Sequence, residues 1–238
     1  MSSTAPRDDE ALGFVANLAR ATSRRTFLQW AGLTVGVAAI GCSDDNGVGP
    51  GPMPDGENLG SGDTGILNYA YALDQLEAAF YMQAVAMPYA GMTTPEMQIL
   101  TDIRDHEIIH REFLKTALGA NAIGMLDFDF ASVNFSSRAS VLGTAKVFED
   151  LGVSAYNGAG QLLTSAALLG IAGKIVSVEA RHASVIRDLL NPGSADFSGD
   201  DVVTPSTGLD VVNSPSAVLS AAGSFITTPI SATQLPTS

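Results

Sequence analysis

Apolar positions recur at helical spacing in four stretches of the chain. The first places Ile66, Leu67, Ala70, Leu73, Leu76, Ala79 and Phe80 at intervals that keep one face apolar. Asp63 can cap its start, and Pro88 ends it. Thr94-Pro95-Glu96 restarts a helix with an N-cap, a proline at the first helical position and an acid in the first turn. That second stretch runs through Leu100, Ile103, Ile109, Phe113 and Leu114 to Gly119. Residues 119–135 are irregular. A third helix is predicted over 136–157, with Val141, Leu142, Ala145, Phe148 and Val153, and Gly158 and Gly160 read as a break. The fourth reaches Leu190 and stops at Asn191-Pro192-Gly193. Its most apolar part, 166–173, is followed by Lys174, Glu179, Arg181 and His182, which favours a buried bundle helix over a membrane span. The pattern predicts an all-α four-helix bundle over 63–191.

The flanks read differently. Ser23-Arg24-Arg25-Thr26-Phe27-Leu28 precedes an apolar run over 28–41, too short to span a bilayer. The motif resembles the twin-arginine export signal, with Gln29 where a Lys is common. Ala39-Ile40-Gly41-Cys42 resembles a bacterial lipobox, in which Cys42 would be lipidated; Ala39 replaces the usual Leu. The alternative is an ordinary small-residue cleavage site and a free thiol. The division is therefore a signal peptide at 1–41, a flexible Gly/Pro/Asp-rich tether at 42–62, the bundle at 63–191 and a partly ordered extension at 192–238. Ser214-Pro215 can start a short helix there through Val218 and Leu219; the rest reads equally as an ordered strap or a loose tail.

Composition narrows the chemistry. The chain of 238 residues has 12 basic and 25 acidic residues, net −13, with three histidines and one cysteine. Removing the signal takes away four basic and three acidic residues and leaves a mature net charge of −14. That balance argues against nucleic-acid binding, which needs cations to neutralise phosphates. One cysteine rules out an intrachain disulfide and a Cys-rich metal site. A metal site would have to be built mostly from carboxylates. The twin-arginine route exports folded proteins, commonly with a cofactor already in place.

Glutamates supply such a set. Glu107-Ile-Ile-His110 and Glu179-Ala-Arg-His182 are both Glu-x-x-His, which puts Glu and His about 60° apart on one helical face. Glu77 lies 30 residues before the first motif, and Glu149 lies 30 before the second. The midpoints of these pairs, residues 92 and 164, fall on turn chemistry. In an antiparallel hairpin each lone Glu would then lie level with its motif. Glu77 sits among Leu73, Leu76 and Phe80, and Glu149 among Ala145, Phe148 and Val153. Buried carboxylates are costly unless paired. Protonation could neutralise one; two metal ions satisfy four Glu and two His more simply.

The order Glu, Glu-x-x-His, Glu, Glu-x-x-His on successive helices resembles the ferritin-like di-metal carboxylate proteins. Local wording is similar to an exported bacterial ferritin-like family related to plant desiccation-associated proteins. The segments that carry this are Ile66-Leu67-Asn68-Tyr69-Ala70, Leu76-Glu77-Ala78, Phe148 to Tyr156, and Val178-Glu179-Ala180-Arg181-His182-Ala183. The resemblance covers 63–190, and extends in part to 215–225. It implies a long crossover between the second and third helices and two iron or manganese ions per chain. Glu107 and Glu179 would bridge them, Glu77 and Glu149 would be terminal ligands, and His110 and His182 would each bind one.

Other residues read as supporting. His106 is taken as a surface or outer histidine. Tyr81 and Tyr156 are taken as core, with a redox or proton role as the alternative. Asp74 and Lys146 are taken as exposed pairing partners that could instead orient ligands. Met82, Met87, Met92, Met97 and Met125 are too irregular for copper and read as gap-fillers. The leading function is a di-metal oxidoreductase acting on oxygen or peroxide, with ferroxidase-like and catalase-like chemistry both in the class. The alternatives are a non-catalytic metal-binding or stress-protection protein of the cell envelope, and a metal-free interaction bundle. The expected partners are the export machinery and a membrane holding the lipid anchor, on the far side of the inner membrane. An anchor, a tether and a long C-terminal segment would obstruct a 24-chain storage cage.

Overall fold

The computed structural model describes residues 56–237. The export motif with Arg24 and Arg25, the lipidation position Cys42 and tether residues 43–55 lie outside the described residues. Four long helices dominate: α1 (Gly62–Ala86), α2 (Thr94–Leu118), α3 (Arg138–Gly160) and α4 (Ala166–Leu190), followed by a short α5 (Pro215–Ala222). Strands among the described residues are two residues long: β1 (Glu57–Asn58), β2 (Val203–Thr204), β3 (Leu209–Asp210) and β4 (Ile230–Ser231). The fold is an all-α bundle of two hairpins, α1–α2 and α3–α4.

Helix starts follow local chemistry, with shifts from the expected positions. Thr93, one residue before the expected cap, accepts the Glu96 N–H, and the Glu96 carboxylate accepts the Thr93 N–H at 2.8 Å. Asp63 does not cap α1. Its carboxylate accepts the N–H groups of Thr164 (2.7 Å) and Ser165 (2.9 Å), just before α4. Ser137 and Ser165 cap α3 and α4 by accepting from Ser140 and Leu168. The predicted break at Gly158 and Gly160 is instead the last turn of α3. Gly158 is there because the Asn213 backbone crosses it so closely that a Cβ would collide.

Side-chain ties fix which ends meet. Arg138 at the start of α3 donates to Glu96 near the start of α2 (2.6 Å) and to the Leu189 carbonyl near the end of α4 (2.7 Å). The starts of α1 and α4 meet through Asp63. So α1 runs parallel to α4, and α2 to α3, which requires a connection along the whole bundle. Residues 119–137 make it by climbing α1. Asn68 accepts the Ile123 N–H and donates to the Asn121 carbonyl, and Gln75 accepts the Leu126 N–H at 2.9 Å. These two buried amides, seven residues apart on one face, give the crossover the backbone partners that a strand would supply. Further along, Phe80, Phe130, Phe135, Phe148 and Phe225 pack together, with Phe80–Phe148 and Phe148–Phe225 edge to face at 5.2 and 4.8 Å.

The extension is an ordered strap. The Phe225 carbonyl accepts the Asp129 N–H, Asp127 accepts that of Thr227, and β4 pairs in parallel with β1. This pairing, and the full burial of Leu59, overturn the tether reading for residues 57–61. Buried Arg187 on α4 holds the strap by donating to Asp150 (2.7 Å) on α3 and to Asp201 (2.8 Å). The apolar stretch 166–173 is the other correction: α4 buries no side chain before Ile175. Its Leu168, Ile171 and Ala172 are half-buried, while Leu169 is exposed. Among the described residues no helix is long and apolar enough to cross a membrane.

Candidate metal centre

The middle of helix α1 is enclosed on all sides. Every residue from Asn68 to Ala78 is buried, so α1 cannot turn a polar face to water as an ordinary amphipathic helix does. Any carboxylate it carries must find a partner inside. Glu77 lies in this stretch. α2 brings Glu107 and His110 to the same interior, α3 brings Glu149, and α4 brings Glu179 and His182. All six residues singled out as metal ligands are buried, and Glu107, Glu149 and Glu179 are fully so.

The contacts cross the hairpins. His110 Nδ1 lies 2.9 Å from Glu179 Oε1 and 3.7 Å from Glu107 Oε2. His182 Nδ1 lies 2.9 Å from Glu107 Oε1, 3.4 Å from Glu179 Oε2 and 3.5 Å from Glu149 Oε2. Glu107 and Glu179 thus each present one oxygen to each histidine. Ligand atoms of Glu107, Glu149, Glu179 and His182 all lie within 4.8 Å of one another, and so do those of Asp74, Glu77 and Glu107. Despite the short distances, both oxygens of Glu107 and Glu179, one each of Glu77 and Glu149, and both histidine Nδ1 atoms make no well-oriented hydrogen bond. Carboxylate oxygens and imidazole nitrogens converge there. Buried polar atoms are nearly always satisfied, and a set of orphans in one place fits a cation.

Charge makes the same demand. Two carboxylates 4 Å apart repel by about 4 kcal/mol at an effective dielectric constant near 20. Burial and the neighbouring carboxylates hold the Glu77 carboxyl well above its usual range, and Asp74 is raised chiefly by burial. Burial also pushes Glu149 up to about 7 against the opposing pull of His182. For Glu179 burial acts upward, but hydrogen-bonding proximity to His110 and His182 outweighs it and brings the group to about 2. For both histidines burial acts downward, and the surrounding glutamates overcome it and raise them. Without a cation, the cluster must hold protons. Two divalent ions would carry the charge of four ionised glutamates, so the donor set fits such a pair.

The supporting residues partly depart from expectation. Tyr81 and Tyr156 are core, as read, but their hydroxyls are also committed. Tyr81 donates to Glu149 Oε1 at 2.6 Å, and Tyr156 to Asp74, 3.1 and 3.2 Å from its two oxygens. Asp74 is fully buried, not an exposed partner. Lys146 is the exposed-type partner, 3.6 Å from Asp150 and Asp201. His106 is half-buried, with its Nδ1 2.9 Å from Nε2 of His182, the nitrogen turned away from the carboxylates. Met82, Met87 and Met125 are exposed instead of filling gaps; Met92 packs on the core. Sequence reasoning missed that Asp74 is interior, although it stands three residues before Glu77 on the same helical face.

A family described as ferritin-like domain matches residues 62–192, more than half the chain. Comparison with curated proteins gives no match.

Proposed function

The chain belongs to the ferritin-like domain family, and from that premise we propose that it is a di-metal carboxylate protein, holding two iron or manganese ions, that carries out redox chemistry on dioxygen or peroxide. The observation that carries this reading is the convergence of unpartnered buried oxygens and nitrogens from Glu77, Glu107, His110, Glu149, Glu179 and His182. When bound, two adjacent redox metals would supply two electrons together, enough to take peroxide to water or dioxygen to peroxide as the metals are oxidised.

The chain's own residues define how such a pair would be held. Glu107 and Glu179 face both histidines, a disposition that supports bridging. Glu77 and Glu149 would be the terminal ligands. Tyr81 holds one oxygen of Glu149 by a hydrogen bond and leaves the other turned to the cluster. His106 meets the outer nitrogen of His182, which fixes how that ring is turned. Full burial of the glutamates keeps bulk water from competing for the ligand positions.

Export by the twin-arginine route and lipid anchoring at Cys42 complete the proposal and place the activity at the cell envelope. The test is anaerobic loading with ferrous iron or manganese, followed by addition of oxygen or peroxide under a matching electrode. Consumption faster than metal in buffer, and lost in Glu107→Ala/Glu179→Ala, is expected. Metal that stays bound while neither oxidant is consumed would leave the non-catalytic metal-binding reading in its place.

A further inference from the structure

The two hairpins are repeats offset by 72 residues, because Glu77, Glu107 and His110 become Glu149, Glu179 and His182 under that shift. A symmetric ligand set would give two equivalent metal positions. The surroundings break that symmetry in two places. The shift carries Asp74 to Lys146, whose ammonium reaches outward to Asp150 and Asp201. It carries His106 to Val178, which has no polar atom in its side chain. Both extra residues belong to the first hairpin, but Asp74 stands beside Glu77 and Glu107 whereas His106 reaches across to His182, so they fall at different places in the centre.

Asp74 is the more telling of the two. It is fully buried, and a hydroxyl from Tyr156 is the donor it receives. A carboxylate offers about four lone-pair positions, and one neutral phenol does not offset the removal of an ionised group from water. One oxygen of Asp74 lies within 4.8 Å of oxygens from Glu77 and Glu107. Glu77 Oε2 and both oxygens of Glu107 are buried and unpartnered there. Three carboxylates from two helices thus share one pocket, beside the group formed by Glu107, Glu149, Glu179 and His182.

We propose that Asp74 is a seventh residue of the metal centre, and that it makes the two positions unequal. One is all-oxygen, built on Asp74, Glu77 and Glu107. The other is built on Glu107, Glu149, Glu179 and His182, with His106 behind the histidine. The inference rests on the di-metal reading. Each group holds three carboxylates, but the Asp74 trio offers oxygen donors alone, so that position takes a hard divalent cation first and more tightly. Tyr156 is then a positioning residue, holding Asp74 turned toward Glu77 and Glu107.

Asp74→Asn tests this, because asparagine copies the shape of a protonated aspartate and lacks its charge. The metal-free full chain is titrated with manganese(II), with free metal read by electron paramagnetic resonance, and with ferrous iron under anaerobic conditions. Two unequal steps are expected for the wild type. In Asp74→Asn the tighter step should weaken by about 10- to 100-fold, with the second retained. Tyr156→Phe, which leaves Asp74 its charge and removes its hydrogen bond, should weaken the same tighter step, by less than Asp74→Asn does, and leave the second unchanged. Asp74→Ser, which leaves Tyr156 a partner, serves if the first variant does not fold by circular dichroism. Two steps of unchanged affinity in the Asp74 variant would overturn the assignment and show a neutral, structural aspartate. Failure of the wild type to bind either metal would overturn the di-metal reading itself, and this assignment with it.

Discussion

Tyr81 of α1 donates its phenol proton to Glu149 Oε1 of α3 at 2.6 Å, and both residues are buried. The bond ties the two hairpins together at the centre. Tyr81→Phe leaves that oxygen without a donor, and an unmet buried acceptor costs about 1–3 kcal/mol. The metal-free variant should melt lower by about 2–12 °C, at roughly 2–4 °C per kcal/mol for this size of domain. Differential scanning calorimetry reads this, and an unchanged melting point would mean the bond contributes nothing.

Gly152 faces Glu77 across the α1–α3 contact. A Cβ at that position would lie 2.9 Å from Glu77 Oε1. Gly152→Ala should therefore displace the carboxylate. Alanine also favours a helix over glycine by about 1 kcal/mol. The variant is expected to weaken metal binding while the melting point of the metal-free protein holds or rises. Metal titration beside a thermal melt separates the two effects, and a parallel loss of both would point to general disruption.

Metal-free stability should fall as pH rises. Asp74, Glu77, Glu149, His110 and His182 all hold protons more tightly folded than unfolded. Such groups stabilise below their unfolded values and lose that contribution as pH climbs through the folded ones. For Glu149 the loss spans about pH 4.5 to 7. Glu179 and Glu96, both lowered to about 2, act oppositely and lose their contribution as pH falls below about 4.5. The metal-free protein should melt lower at pH 8 than at pH 5. Bound metal should reverse the trend, because ligation needs the deprotonated carboxylates and neutral imidazoles. Melts at both values, with chelator and with manganese, check the sign.

Arg187 separates scaffold from centre. It bridges Asp150 and Asp201 and donates to the Asp196 carbonyl. Arg187→Met leaves Asp150 with Lys146 alone and frees the segment around the 3-10 turn Ala195–Ser198. Breaking a buried pair costs about 3–5 kcal/mol, and the exposed Asp201 puts this case at the low end. Limited proteolysis should cut near residues 195–203 sooner than in the wild type, with metal content kept. An unaltered cleavage pattern would show that the strap holds without the arginine.

The bundle and the burial of Glu77, Glu107, His110, Glu149, Glu179 and His182 in its interior are legible in the sequence because both rest on local spacing. Thirty residues between a lone Glu and its Glu-x-x-His motif, centred on a turn, are enough to bring Glu77 beside Glu107 and Glu149 beside Glu179. Contacts of long sequence separation leave no such mark. Nothing in Glu57-Asn58 announces a partner at Ile230-Ser231, so the end of the tether read as loose. Asp74 has the i, i+3 relation to Glu77, but it is buried against Glu107 of α2 and Tyr156 of α3, neighbours that periodicity along α1 does not record. The 166–173 run errs the other way: apolar residues imply burial only where a neighbouring element covers them.

Elemental analysis of the folded full chain, beside Glu107→Ala/Glu179→Ala, tests the central claim most directly. The account predicts about two iron or manganese ions per chain, lost in the variant while the helical signal remains. A wild type that carries no transition metal even after anaerobic reconstitution, or a variant that keeps its full complement, would contradict it.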